Sequence, residues 1–413
     1  MSEAVLLIGT ADTKSDELAF LRQCIESQGS KVMLMDVGVL TQGRVKVEID
    51  NCSVAAAAGT SLEAIIAGGD ENTAMSAMAL GASRLASDLS NQGKIQSMLA
   101  LGGTMGTDLA FDVASALPLG LPKVVLSTVA FSHLIPPERI SPDLIMVLWA
   151  GGLYGLNSLC KSALAQAAGA TVGAMRLAQP PRLDRPLVGM TSLGKSCLRY
   201  MVTLKPELEA RGFEVAVFHT TGMGGRAFES LAERGKFVAV LDLSLQELAN
   251  HVGGSCVTAG ASRLTGAGRS GTPQIVAPGA ADMIDFPAWQ QVPSDLSERP
   301  VHTHNRLIAS ATSPEHMRRQ IAIEIVARLA EARGPACLLL PSRGVQAWDL
   351  PGEPLHDPQG LAAMSDQLRR EAMRVSNPHF TMIETDLHIN DDAFGRKVLE
   401  VFDDWMDKGW IKR

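Results

Sequence analysis

Residues 6–15 read LLIGTADTKS and residues 187–196 read LVGMTSLGKS. The two stretches align without a gap. Each is an apolar run that breaks at a loop and leads into a helical pattern. Ahead of the first loop, Ala4 to Ile8 is a short apolar run ended by Gly9, the pattern of a parallel strand buried on both faces. Ser15 to Ser27 then places Leu18, Leu21 and Ile25 at helical spacing, with Asp16 and Glu17 in the first turn and Gly29 as the stop. Lys31 to Val37 reads as the next strand, and Thr60 to Ala67 and Asn72 to Ser90 as helices. Ile95 to Leu101 and Pro122 to Thr128 are further strands.

The second stretch restarts this order. Pro186 to Met190 is a strand, followed by a loop, a helix ending at Gly212, and strands at Phe213 to His219 and Phe237 to Leu243. Residues 272–278 (TPQIVAP) answer residues 121–127 (LPKVVLS). Ala336 to Leu340 and Phe380 to Thr385 are the last strands. A final helix over Asp391 to Met406 carries Phe394, Val398, Val401 and Trp405. Strands alternating with helices predict an α/β fold of two Rossmann-like doubly wound parallel-sheet domains, made by internal duplication. The proline- and charge-rich run 178–186 (AQPPRLDRP) reads as the linker, giving domains at 1–180 and 181–413.

Of 413 residues, 46% are hydrophobic and 20% charged, enough apolar material for two cores. A net charge of −7 argues against a nucleic-acid binder, which shows a basic face. It leaves room for a small anion held by local donors. The six cysteines, Cys24, Cys52, Cys160, Cys197, Cys256 and Cys337, stand far apart with no C-x-x-C, so a reducing cytoplasm is expected. The run from Ala4 to Ile8 is too short for a signal segment or a membrane span.

In an open parallel sheet, ligands bind beyond the carboxyl ends of the strands. Three features of the first half fall there. The loop Gly9-Thr10-Ala11-Asp12-Thr13-Lys14 offers a backbone free to approach an anion, hydroxyl donors and a cation. The loop Gly102-Gly103-Thr104-Met105-Gly106-Thr107 offers backbone and hydroxyl donors at a helix start. Asp36, followed by Gly38, ends the second strand, where an acid often holds a ribose hydroxyl. Each also reads as an ordinary capped turn, but their convergence points to a nucleotide.

Gly189 to Ser196 fits the phosphate-loop pattern G-x-x-x-x-G-K-[ST] at every position. Asp242 ends a strand that resembles the acid-bearing partner of such a loop and is a candidate for holding Mg2+ through water. His219, Arg226, Arg263, His304 and Arg343 supply acid/base and anion-pairing groups. His302-x-His304 is a weak metal pattern, and Asp386 and His388 fit structural roles.

The stretches LLIGTADTK, LGGTMGT, GGLYGLNS, LAQAAGAT, VFHTTGMGGRAFE, LDLSLQEL, GAGRSGTPQIVAPGAADMIDF, LLPSRGV and HIND carry a likeness over nearly the whole chain. They resemble the uncharacterised bacterial family related to the ATP-binding N-terminal region of the tomato protein that inhibits tomato mosaic virus RNA replication. The resemblance implies two Rossmann-like subdomains, ATP with Mg2+ in the first, and a homodimer. Position by position it implies nucleotide contacts at Gly9, Thr10, Asp12, Thr13, Lys14, Gly102, Gly103, Thr104, Gly106 and Thr107. The plant relative carries a further barrel-like domain, so a separate barrel protein is an expected partner. The chain departs from the family at SLGKSC and at STVAFSHLIPPERISPDL. The first departure makes the phosphate-loop match an accident of spelling, with Lys195 facing an anionic second substrate as the intermediate reading.

The expectation is therefore an ATP–Mg2+ protein acting on a small anionic metabolite in the cleft between its domains, by phosphoryl or adenylyl transfer. His219, Arg226, Asp242, His304 and Arg343 are the candidate catalytic residues, with His219 the first choice of base and Asp242 the second. The alternative is a non-catalytic module whose nucleotide stabilises a dimer. Neither nucleic acid nor membrane is expected as a partner.

Overall fold

Residues 3–40, 43–179, 181–182 and 184–413 are described by the computed structural model. The chain divides into two units, Met1–Arg182 and Leu183–Arg413. The expected linker falls at this division, and its Pro180 and Leu183 lie outside the described residues.

The first unit runs β1 (Ala4–Gly9), α1 (Ser15–Ser27), β2 (Lys31–Asp36), α2 (Asn51–Ala57), α3 (Leu62–Gly68), α4 (Glu71–Asn91), β3 (Ser97–Gly102), α5 (Thr104–Ala116), β4 (Lys123–Ser127), β5 (Leu144–Leu148) and α6 (Ser158–Leu177). Its strands form one sheet in the order β2-β1-β3-β4-β5, and every neighbouring pair is parallel. All six residues of β1 and of β3 are buried. That is why these strands read as unbroken apolar runs rather than alternating ones. Each fully buried Val, Leu or Ile side chain here contributes roughly 1.5–3 kcal/mol. α1 and α6 pack on one face with Leu18, Leu21 and Leu164. α4 and α5 pack on the other with Met78, Leu109 and Val113. Side-chain caps from Asp50, Ser61, Asp70 and Asn157 set where α2, α3, α4 and α6 begin.

The second unit runs β6 (Leu187–Ser192), α7 (Arg199–Ala210), β7 (Glu214–His219), α8 (Met223–Glu233), β8 (Ala239–Asp242), α9 (Gln246–Val252), α10 (Gly266–Ser270), β9 (Gln274–Val276), β10 (Met283–Pro287), β11 (Val301–Thr303), β12 (Ile308–Thr312), α11 (Glu315–Ala330), β13 (Ala336–Pro341), α12 (Pro358–Ala372), β14 (Phe380–Thr385) and α13 (Asp392–Asp407). Its main sheet has the order β14-β13-β9-β8-β6-β7, again parallel throughout. Read from β7 inward, its first five strands repeat the order of the first unit, an order common among doubly wound sheets. The addition is an antiparallel sheet, β10-β12-β11, between the fourth and fifth of these strands in sequence.

In both units the order of connection reverses beside the first strand. The switch points lie between β1 and β3 in one unit and between β6 and β8 in the other, and loops at such points are where open α/β sheets bind ligands. Among the described residues, no helix is long and apolar enough to cross a membrane. All six cysteines are unpaired.

Candidate functional site

A cavity of about 340 Å³ opens at the β1/β3 switch point of the first unit. All the nucleotide contacts expected from the sequence line it except Asp36 and Thr107. Gly9, Thr10, Asp12, Thr13 and Lys14 come from the loop after β1, Gly38 from the loop after β2, and Gly102, Gly103, Thr104 and Gly106 from the loop after β3. Val37, Val39, Leu40, Ala74, Met75 and Leu109 supply an apolar wall.

The donors differ between the two helix starts that face this cavity. The turn before α1 is closed on itself, since Thr13 and Lys14 donate their N–H groups to the Thr10 carbonyl at 3.2 and 2.9 Å. Acids Asp16 and Glu17 already occupy the first turn of α1. The start of α5 has no acid in its first turn and no side-chain cap, because its cap residue is Gly103. Its first N–H groups have no intrahelical acceptor, and the helix dipole makes that end attractive to anions. Glycine is required nearby for closeness: a Cβ at Gly102 would lie 2.6 Å from the Cα of Gly106.

Asp12 is half-buried. Its Oδ2 accepts from the Leu40 N–H at 3.0 Å, while its Oδ1 is buried without a hydrogen-bond partner. A Cβ at Gly38 would lie 2.6 Å from that same carboxylate. An unpartnered buried carboxylate oxygen on a cavity wall is a place for a donor from outside the chain. Lys14 lies with its Nζ 5.2 Å from the Tyr154 ring centre, and Thr10 and Thr13 share a hydroxyl contact of 2.8 Å.

Asp36 and Thr107 work behind this wall instead. One oxygen of Asp36 accepts from the N–H of Ala11 and the N–H of Gly38, each at 2.9 Å. Asp36 therefore ties the first two loops together rather than presenting itself to a ribose. Burial raises its carboxyl pKa, and these two donors oppose that rise. Thr107 is buried, with its hydroxyl 2.7 Å from that of Ser127, and this contact joins α5 to β4.

In the second unit the phosphate-loop pattern does not make a phosphate loop. Gly189 is internal to β6, where a Cβ would lie 2.8 Å from the Phe237 ring. The chain then turns tightly. Ser196 and Cys197 donate to the Leu193 carbonyl at 2.9 and 3.2 Å, and the Gly194 N–H donates to His219 Nδ1 at 3.4 Å. α7 begins only at Arg199. A cradle needs inward-facing N–H groups and a helix opening at the lysine. Here those groups are used within the turn.

The candidate catalytic residues do not share one place. His219 and His304 line a pocket of about 110 Å³ at the β6/β8 switch point, together with Lys195 and Ser196. Arg226 is on α8, donating to the Ser262 hydroxyl at 3.1 Å. Arg343 is exposed and lines a different cavity of about 320 Å³ with His356. Asp242 corrects the sequence reading. It is 1% exposed, and both its oxygens are taken by the guanidinium of Arg263, itself 0% exposed. The Thr191 hydroxyl adds a third bond at 2.9 Å. With no free lone pair turned to solvent, Asp242 is neither a metal acid nor a base, and Arg263 is not a wall residue. Arg263 also pairs with Glu229 and Glu247. His388 is held by Asp349 at 3.0 Å, and although burial works against its charged form, that bond raises its pKa.

Two residues of the second pocket carried no mark in the sequence. Gln246 is wholly buried, with neither its amide nitrogen nor its oxygen in a hydrogen bond. Asp285, also buried, accepts from the Ser310 hydroxyl at 2.5 Å. Burial pushes its carboxyl pKa up to about 6, eased downward by Ser310, Asn250 and the nearby Gln246 amide. That amide is close enough to act on Asp285 electrostatically without hydrogen-bond geometry.

Two family models together match nearly the whole chain. The N-terminal domain of the uncharacterised protein family UPF0261 matches residues 3–180, and its C-terminal domain matches residues 185–406. The chain belongs to the UPF0261 family. A UPF0261 protein of Brucella melitensis is 51% identical over 99% of this chain and 97% of its own length. One from Clostridium tetani is 32% identical over 99% of this chain and 100% of its own. The ToMV resistance protein Tm-1(GCR237) of Solanum lycopersicum is 28% identical over 97% of this chain, but the match spans 55% of that longer protein. The family relation and the α/β fold of two parallel-sheet units thus agree with the sequence reading.

Proposed function

We propose that the first unit is a nucleotide site and that its ligand is ATP carried with Mg2+. The observation that supports this most is the pairing, on one cavity, of the uncapped and acid-free start of α5 with the unpartnered Oδ1 of Asp12. The N–H groups at Thr104, Met105 and Gly106, with the Thr104 hydroxyl and Lys14, would hold phosphate oxygens. Asp12 would accept a ribose hydroxyl. The wall from Val37 to Leu40 with Met75 and Leu109 would cover the base. The chemistry of this donor set fits a nucleotide, one anionic end and one flat apolar end. Mg2+ would offset the phosphate charge and ride on the phosphates, with waters completing its shell, as is usual for this ion. Asp12 and Glu71 are the carboxylates on the lining.

On this reading the chain is an ATP-dependent enzyme whose second ligand is a small anion, and phosphoryl or adenylyl transfer are the reactions ATP would serve. Calorimetric titration of Mg2+–ATP tests it. The wild type should bind saturably, and Lys14→Ala combined with Thr104→Ala should weaken binding by roughly a hundredfold, about 2.7 kcal/mol. Binding that is indifferent to both changes contradicts the site. Tight binding with no turnover in any metabolite pool would favour a regulatory module in which the nucleotide stabilises an assembly.

A further inference from the structure

The second unit carries a pocket that the nucleotide reading does not use. We infer that the pocket between Lys195, His219 and His304 at its mouth and Gln246 and Asp285 at its floor binds a short-chain carboxylate bearing a hydroxyl or oxo group on the neighbouring carbon. The inference stands on the second unit alone and holds whether or not ATP binds the first.

The floor offers a ligand unmade hydrogen bonds. Gln246 is 0% exposed, and its amide nitrogen and oxygen both lack a hydrogen bond. A buried amide with both ends unmade is costly and rare. It is explained by a ligand group that presents an acceptor to the nitrogen, or a donor to the oxygen, inside the pocket. Asp285 and Ser310 line the same floor and are already bonded to each other; the Gln246 amide acts on Asp285 without making a hydrogen bond, so Gln246 is the floor group left to fill. A hydroxyl or carbonyl on the ligand meets that need.

The mouth sets the charge. Lys195, His219 and His304 are exposed and line the pocket. Gly194 donates its N–H to His219 Nδ1, which favours the proton on Nε2, a donor. These groups suit one negative charge at the entrance. Asp285 below disfavours a doubly charged phosphate, since its carboxylate would repel it. The pocket of about 110 Å³ is small. A single water needs roughly 10–15 Å³ on this measure, so the space holds a molecule of several heavy atoms and not a nucleotide. Carboxylate outward and hydroxyl or oxo inward is the arrangement that satisfies both ends.

Trp348 lines the pocket and supplies the readout. Tryptophan fluorescence should be followed while lactate, pyruvate, glycolate and glyoxylate are titrated, with propionate, lactamide and inorganic phosphate as comparisons. Trp348→Phe shows that the signal comes from this site. At least one of the four acids should bind saturably, with propionate, lactamide and phosphate roughly tenfold weaker or worse. Gln246→Met should abolish that binding and raise Tm in the absence of ligand, because it removes an unsatisfied amide. Its stabilisation by Mg2+–ATP should stay intact. Lys195→Ala, at an exposed position, should weaken the acid without changing Tm. The inference is overturned if none of the four acids saturates at tens of millimolar, or if propionate or phosphate binds as well as they do. Unchanged affinity in Gln246→Met also overturns it.

Discussion

Asp242 and Arg263 meet in a wholly buried two-point contact, Nη1 to Oδ2 at 2.5 Å and Nη2 to Oδ1 at 2.6 Å. Arg263 continues through Nη1 to Glu229 at 2.9 Å and through Nε to Glu247 at 3.0 Å. One guanidinium thus joins the end of β8 to α8 and α9. Removing the Asp242 charge weakens the charge-assisted hydrogen bonds to Arg263, which Glu229 and Glu247 still neutralise, at a cost of about 1.5–3 kcal/mol. Asp242→Asn should therefore lower the unfolding free energy by that order, measured by denaturant titration. A variant with unchanged stability would return Asp242 to the list of candidate catalytic acids.

Asp36 should behave as a support of the nucleotide cavity and not as a contact. Asp36→Ala frees the N–H groups of Ala11 and Gly38 and leaves buried donors unmet, at about 1–3 kcal/mol. ATP affinity should fall with stability. The 2′-deoxy nucleotide should lose the same fraction of affinity in the variant as ATP does. A loss confined to the ribose form would make Asp36 a direct contact.

Backbone closeness at the cavity is testable at one atom. Gly102→Ala places a methyl 2.6 Å from the Gly106 Cα, where backbone must move and the α5 start with it. Mg2+–ATP binding should drop by at least tenfold, about 1.4 kcal/mol. Gly68→Ala meets nothing within 4 Å and serves as the neutral comparison. Equal binding in both variants would separate the α5 start from the nucleotide.

Stability should fall as pH rises through neutrality. Burial pushes the carboxyl pKa of Glu247 up to about 7 and those of Asp282 and Asp285 up to about 6. All three stand above their unfolded values, so the folded state holds more protons in the window from about pH 4 to 7. Stability that is present below that window is lost as pH climbs through it. The opposite contribution of Glu48 and Asp357, whose pKa values are lowered, is confined to lower pH. Tm should be higher near pH 5 than near pH 8, and Glu247→Gln should flatten the upper part of the curve. A profile that rises from pH 5 to 8 would contradict this.

Most parallel strands were legible because burial on both faces leaves an unmixed apolar run, as in β1, β3 and β13; β5, which is only partly buried, was not. Helix α1 was legible to its last residue, since the periodicity of Leu18, Leu21 and Ile25 agrees with Asp16, Glu17 and Gly29. β10, β11 and β12 were not. They are 3–5 residues long, and β10 is buried along four successive residues, so it shows no alternation. The loops of the first cavity could be read from glycine, threonine and lysine after strands. The roles of Asp36 and Thr107 could not, because a buried acid tying two loops spells the same as one facing a ribose. Asp242 misled for the same reason: its partner Arg263 is 21 residues away in a loop. The match at Gly189 to Ser196 is set aside in the sequence by the departure from the family at SLGKSC, and the physical reason is that the pattern names residues and not the point where the strand stops, since Gly189 lies inside β6. Gln246 gave no signal, since only packing shows that its amide is left without partners.

Thermal unfolding with and without saturating Mg2+–ATP is the most direct test of the nucleotide site. It should be run on the wild type, on Lys14→Ala with Thr104→Ala, and on Lys195→Ala. Ligand at about 100 times its Kd adds roughly 2.7 kcal/mol, a clear shift in Tm. The shift should be present in the wild type, vanish in the double variant and survive in Lys195→Ala. A shift lost in Lys195→Ala and kept in the double variant would place the nucleotide on the turn after β6 and contradict the site proposed in the first unit.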